Sequence, residues 1–128
     1  MNEQRARVVN RLFLEVPKRR AVCFYPMSKR RGAVKNWYSV PFDKRAAMMR
    51  EHGLIGRQYA GQVNQIISGS IGYDDWEWGV TLWARNPEFL KEIVYRMRFD
   101  EASSLYALFG PFYLGLRFPA EQLGVFLD

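Results

Sequence analysis

The chain holds a single histidine, His52, and a single cysteine, Cys23. Zinc centres draw several ligands from these residue types, so a multi-ligand zinc site has no donors here. His52 stands in PFDKRAAMMREHG (41–53), where Phe42, Ala46, Met49 and His52 recur at helical spacing. The spacing predicts an apolar stripe with the imidazole on it. A neutral imidazole aimed into an apolar cavity can ligate a haem iron. The plain alternative is a satisfied core histidine, or one in a last helical turn that suits the dipole. Nothing in the sequence brings Cys23 near His52, and a Cys–His pair stays open.

Six further positions could serve a ligand. Val63, Gln65, Ile67 and Ile71 share a face of a regular strand, which turns a polar amide towards apolar neighbours. A buried amide is costly without a partner, so Gln65 bonds either to backbone or to a ligand. Tyr25, Met27 and Lys29 alternate along a strand end, where a half-buried aromatic and a solvated charge are the ordinary reading. Arg98 and Ser103 flank a junction of two helical pieces, where a helix N-terminus and a guanidinium can both take a carboxylate. A surface ion pair and a helix-start serine are the ordinary readings there.

The elements that must position these residues follow from pattern. Residues 21–26 (AVCFYP) form a strand, and 28–35 a basic loop. Pro41 opens a helix, at a position where its missing N–H costs nothing, and Gly53 offers a left-handed stop. Residues 62–71 and 75–85 form two strands joined around Gly72-Tyr73-Asp74. Asn86-Pro87-Glu88 starts a second helix with its buried side on Phe89, Leu90, Ile93, Val94 and Met97. A shorter helical piece follows Asp100 and stops at Gly110, and 112–118 is the last strand. This βαββαβ order predicts an α+β, ferredoxin-like fold with helices on one face of an antiparallel sheet. Large aromatics on both sides of the third strand, Trp76 and Trp78 against Trp83, predict that the open face packs on a second sheet or encloses a ligand.

Composition narrows the partners. The 128 residues suffice for one domain with a real core, spanning 1–128. No apolar run is long enough to span a membrane, the polar start is unlike a secretory leader, and one cysteine fits a reducing cytoplasm. Residues 1–35 carry ten Lys/Arg against two Glu, and the rest nine against eleven acids. Such a basic pole invites a polyanion: nucleic acid, a lipid surface or a polycarboxylate. No strand motif of the G-F-G-F-V kind is present, which argues against RNA recognition by stacking.

Read together, CFYPMSKRR (23–31), NWYSVPFDKRAAMMREHGLIGRQYAGQVNQIISGSIGYDDWEWGVTL (36–82) and YRMRFDEASSLYALFGPFYLGLR (95–117) resemble the coproheme decarboxylases of the chlorite-dismutase-like proteins, over their C-terminal porphyrin-holding repeat. The resemblance runs from about Arg11 to the end. It implies paired ferredoxin-like repeats of the dimeric α+β barrel type, assembled as a homo-oligomer, usually a pentamer. It implies His52 as proximal iron ligand, Tyr25 as the redox-active residue and Lys29 as the basic group at a reacting propionate. Gln65 falls on the distal side, Arg98 and Ser103 on propionate-binding positions, Arg11 beside them, and Met27 and Trp76 on the pocket wall. The implied ligands are iron coproporphyrin III (coproheme), its product haem b, and hydrogen peroxide. Peroxide would oxidise the bound iron, Tyr25 would become a radical, and two propionates would leave as carbon dioxide to give vinyl groups.

Two departures qualify the resemblance. Chlorite dismutases carry arginine at the distal position where this chain has Gln65, which disfavours chlorite decomposition. The N-terminal repeat of the family is expected to be absent from this chain. The competing expectation is therefore a half-length relative that binds or senses haem without processing it.

Overall fold

The computed structural model describes Arg5, Val8, Val9 and residues 12–127. Four elements carry the first half: β1 (Ala21–Lys29), α1 (Phe42–Arg57), β2 (Val63–Gly69) and β3 (Trp78–Ala84). Then come α2 (Pro87–Met97), the single turn α3 (Glu101–Ser104), β4 (Ala107–Phe109), β5 (Tyr113–Leu116) and a last turn, α4 (Leu123–Leu127). All strand pairs are antiparallel in the order β2-β3-β1-β4, with β5 also beside β1. β4 meets the far half of β1 (Met27↔Phe109) and β5 the near half (Phe24↔Tyr113), so the two act as one interrupted fourth strand. That is the ferredoxin-like arrangement expected from pattern.

The interruption has a cause. Pro26 offers no N–H to a neighbour, and opposite it the chain leaves the ladder at Gly110, whose N–H donates to the Pro26 carbonyl at 2.9 Å. A Cβ on Gly110 would sit 2.6 Å from the Pro26 ring and 3.0 Å from Trp76, so only glycine fits this crossing.

Alternation on β1 sends Ala21, Cys23, Tyr25, Met27 and Lys29 to the helical side. Three of these join Val80, Leu82, Ala84, Tyr59, Leu90 and Ile93 in the main core. α2 has the expected start: the Asn86 side chain accepts from the Glu88 N–H and Pro87 occupies the first turn. Its buried side is the one read from spacing, with Leu90 and Ile93 buried.

Three expectations change. α1 does not stop at Gly53 but runs to Arg57, because the left-handed glycine that ends the connection is Gly61 (φ 84°). Its stripe is not a core stripe either: Phe42 and Met49 are exposed and Met48 is the buried residue. α1 packs chiefly on α2 and α3 instead of on the sheet, which leaves a space under Met49 and His52. The helical piece after Asp100 ends at Ser104, and residues before Gly110 are strand, where Ala107–Phe109 bonds β1.

The enclosed space therefore lies on the helical side. The other sheet face keeps Phe24 and Tyr113 exposed. Leu82 is the largest side chain fully enclosed in the core, together with Val80. Leu82→Ala should cost about 2–5 kcal/mol in chemical denaturation at an unchanged m-value.

Candidate functional site

A cavity of about 340 Å³ lies between the sheet and α1, within the size range of small-molecule sites. Its floor is β1, β2 and β3 through Tyr25, Met27, Lys29, Gln65, Ile67, Trp78 and Val80. Its roof is Met49 and His52 of α1, with Val94 and Met97 of α2. Trp37, Ser103 and Phe109 close the ends. The walls are mainly aliphatic, aromatic and thioether, with a few polar groups converging on them.

His52 is fixed from behind. Its Nδ1 lies 2.8 Å from Asp100 Oδ2, and Asp100 is almost fully buried. Asp100 is also the cap of α3, accepting the Ser103 N–H at 2.9 Å on Oδ1. The Ser103 hydroxyl stands 3.3 Å from Oδ2 and 3.4 Å from Nδ1, completing a three-residue cluster. In the neutral ring the Nδ1 proton donates to the carboxylate, so Nε2 keeps its lone pair. A carboxylate behind the ring is the usual means of fixing the tautomer and raising the basicity of a metal-ligating histidine. This donor set suits an iron porphyrin: one basic nitrogen, an apolar slot and a nearby ammonium for a carboxylate.

Tyr25 is buried between aromatic rings, stacked on Phe112 at 4.4 Å and edge-on to Phe109 at 5.8 Å. Burial, with Cys23 adding to it and Arg98 opposing, pushes its hydroxyl up to about 12. The phenol is therefore protonated throughout the physiological range, a form that can donate a hydrogen bond or lose a hydrogen atom. Lys29 is buried as well. Its Nζ donates to the Ala102 carbonyl at 2.8 Å and stands 4.5 Å above the Trp37 ring. Burial pulls the ammonium below the ordinary lysine value, while Asp100 and Glu77 act in the opposite direction.

Of the residues singled out by sequence, Tyr25, Met27, Lys29, His52, Gln65 and Ser103 meet in this one cavity. Gln65 has the inward phase expected of it but is exposed, because β2 is an edge strand with an open rim. Trp76 does not line the cavity. β3 begins only at Trp78, so Trp78 takes the inward wall position, while Trp76 packs on Gly110. Arg98 also lies outside: its guanidinium covers Phe109 at 4.9 Å and Phe112 at 5.9 Å, on a neighbouring groove shared with Cys23. Arg11 lies outside the described residues.

Sequence reading misses Asp100 as the partner of His52 and Trp37 as the ring under Lys29. The first has a signal, since an aspartate before EASS is a helix cap whose second oxygen is free for another donor. Trp37 has none, because its approach depends on a turn packed across the sheet end.

A ferredoxin-like sheet, with a half-buried histidine backed by a buried aspartate over an apolar slot, defines the α+β class of this chain. Residues 2–118 match the family model described as chlorite dismutase, and the chain belongs to that family. It is 56% identical over 113 residues to a Natronomonas pharaonis protein named as a candidate heme-binding protein, covering 88% of this chain and 19% of that one. A Haloquadratum walsbyi protein of the same description is 54% identical over 114 residues, with coverage of 89% and 22%. The solved structure of a heme-binding protein from Thermus thermophilus is 50% identical and superposes with a TM-score of 0.92, over 99% of this chain and 51% of that one. A mutant chlorite dismutase from Candidatus Nitrospira defluvii, 24% identical with a TM-score of 0.75, shares the fold over 89% of this chain and 47% of its own. This chain thus spans about a fifth of the length of those curated relatives and about half of the solved ones.

Because the Tyr25 hydroxyl is held neutral in the fold, its stabilising effect is complete below pH 10 and is lost as pH rises towards 12. Denaturation midpoints measured across that window should fall for the parent chain and fall less for Tyr25→Phe. The exposed-edge phenol Tyr38, also pushed up to about 12, accounts for part of the remaining slope.

Proposed function

We propose that this chain binds an iron porphyrin in the cavity beneath α1, with His52 Nε2 as the iron's protein ligand. The observation that carries the reading is the His52–Asp100 pair at 2.8 Å, set over an apolar slot large enough for a flat ligand edge. The 50% identical solved relative, described as heme-binding, supports the same ligand class.

The finer reading is peroxide-dependent decarboxylation of coproheme to haem b. Bound iron porphyrin, supplied with hydrogen peroxide, provides the oxidising equivalents. The chain's residues do the rest. Tyr25, protonated and walled by aromatic rings, gives up the hydrogen atom of its O–H and takes one from the carbon chain of a neighbouring propionate. Lys29 offers an ammonium to that propionate's carboxylate. Carbon dioxide leaves as a neutral molecule and the remaining electron passes to the peroxide-derived oxidant. Lys29, its proton affinity lowered by burial, can supply the proton which that reduction consumes. One propionate side chain, one peroxide and one proton give one vinyl group, one carbon dioxide and two waters. Gln65, at the open rim, can donate its amide N–H to an oxygen ligand without adding charge. Ser103 and Met27 shape the slot. Arg98 reaches a propionate only if it leaves its perch on Phe109. Arg11 is assigned a supporting role at the same carboxylates by resemblance alone. On this reading residues 1–128 act as one porphyrin-holding domain that works in the cytoplasm inside a homo-oligomer or beside another ferredoxin-like unit. No helix among the described residues is long and apolar enough to cross a membrane.

A second reading, haem carriage or sensing without turnover, is favoured by one specific fact: the similar proteins are described as heme-binding. The two separate on product masses. Chain incubated with iron coproporphyrin III and peroxide should lose carbon dioxide twice, and Tyr25→Phe should retain porphyrin affinity while losing turnover by at least about a hundredfold. Tight binding with an unchanged porphyrin mass selects carriage over catalysis.

A further inference from the structure

Lys29 is buried, yet among the described residues no carboxylate touches its ammonium: the contacts are a carbonyl and the face of Trp37. The charge that faces it from the start of β3 is Glu77, itself 6% exposed and, among the described residues, without a cation against it. Glu77 sits one residue before β3 and closes the frayed end of the β1–β3 ladder. Its Oε2 accepts the Lys29 backbone N–H at 2.7 Å and its Oε1 accepts the Tyr38 hydroxyl at 2.7 Å. Its own N–H donates to Ser28 Oγ at 3.1 Å, and its carbonyl accepts from the Ser70 N–H at 2.8 Å. One residue thus joins the end of β1, the Trp37–Ser39 turn and the β2–β3 connection. Trp37, the ring under the ammonium, belongs to that same turn.

A buried carboxylate held only by neutral donors is an expensive structural pin, because its desolvation is not offset by an ion pair. A backbone anchor alone would be served as well by an amide. The retained charge makes sense near a second buried charge. Lys29, whose backbone N–H Glu77 binds, is buried and feels the carboxylate. Arg31 and Arg45 act from the Tyr38 side and stay in place in the variants below.

We propose that Glu77, braced by Tyr38, is the positioning residue for Lys29, holding the strand end and the Trp37 turn so that the ammonium stays charged and directed at the cavity. This deepens the proposed site: it concerns the group that would meet a carboxylate of the ligand, and it holds in the ligand-free chain. The other groups facing Lys29 are Asp100 at the head of α3, His52 across the cavity from α1 and Tyr25 along β1. Asp100 stays in place in the variants below, so its contribution cancels in the comparison.

The test is an NMR titration of the Lys29 side chain in full-length, ligand-free protein, parent against Glu77→Gln. The amide keeps the size and one acceptor but removes the charge. The expected result is a Lys29 midpoint lower by about one pH unit in a folded variant. An unchanged midpoint in folded Glu77→Gln overturns the proposal. A thermal-melting cycle covers the case where the single variant fails to fold. Lys29→Met with Glu77→Gln removes both charges and should melt closer to the parent than the sum of the single losses. Additive losses, or a double variant that also fails to fold, reduce Glu77 to a backbone anchor and overturn the proposal. Neither readout contains porphyrin, so failure here leaves iron binding by His52 standing, and failure of iron binding leaves this result standing.

Discussion

The site depends on the Asp100 carboxylate. It is buried where desolvation is costly, and it is compensated by three donors: the Ser103 N–H, the His52 ring and the Ser103 hydroxyl. The same group that starts α3 therefore also orients the imidazole on α1. Loss of the carboxylate itself would free both elements. Because α3 in turn offers the Ala102 carbonyl to Lys29, the ammonium is held by the turn that Asp100 caps.

The cavity is a consequence of how α1 is carried. α2 lies on the sheet with Leu90 and Ile93 in the main core, whereas α1 leans on α2 and α3. Its Met48 joins Trp37 and Ala102 in a small second cluster. The space left beneath α1 is lined from the sheet by alternate residues of β1, β2 and β3. Such a bridged helix gives up apolar burial, since Met49 and Phe42 are exposed. Ligand binding would recover part of that burial and raise the stability of the chain by mass action.

Much of this is legible in the residues. The βαββαβ order, the α2 start at Asn86-Pro87 and the inward alternation of Tyr25, Met27 and Lys29 depend on local pattern, which sequence carries directly. The end of α1 is not, because a glycine within a helix looks the same as one after it, and only the positive φ at Gly61 separates them. Nor does the α1 stripe reveal that it lies outside the core, because spacing fixes a face but not what the face meets. Trp76 and Trp78 share a phase, and the point where β3 begins, set by the Glu77 pin, decides which one reaches the cavity. Arg98 shows the same limit, since its guanidinium goes to two phenyl rings brought there by the Gly110 crossing.

The central claim is that His52 presents Nε2 to an iron porphyrin while Asp100 holds the opposite side of the ring. Resonance Raman spectroscopy of the ferrous iron coproporphyrin complex reads the iron–imidazole stretch directly. A histidine-ligated band is predicted for the parent chain. It should fall in frequency in Asp100→Asn, where the acceptor behind the ring loses its charge, and vanish in His52→Ala. An identical spectrum in His52→Ala would contradict the account.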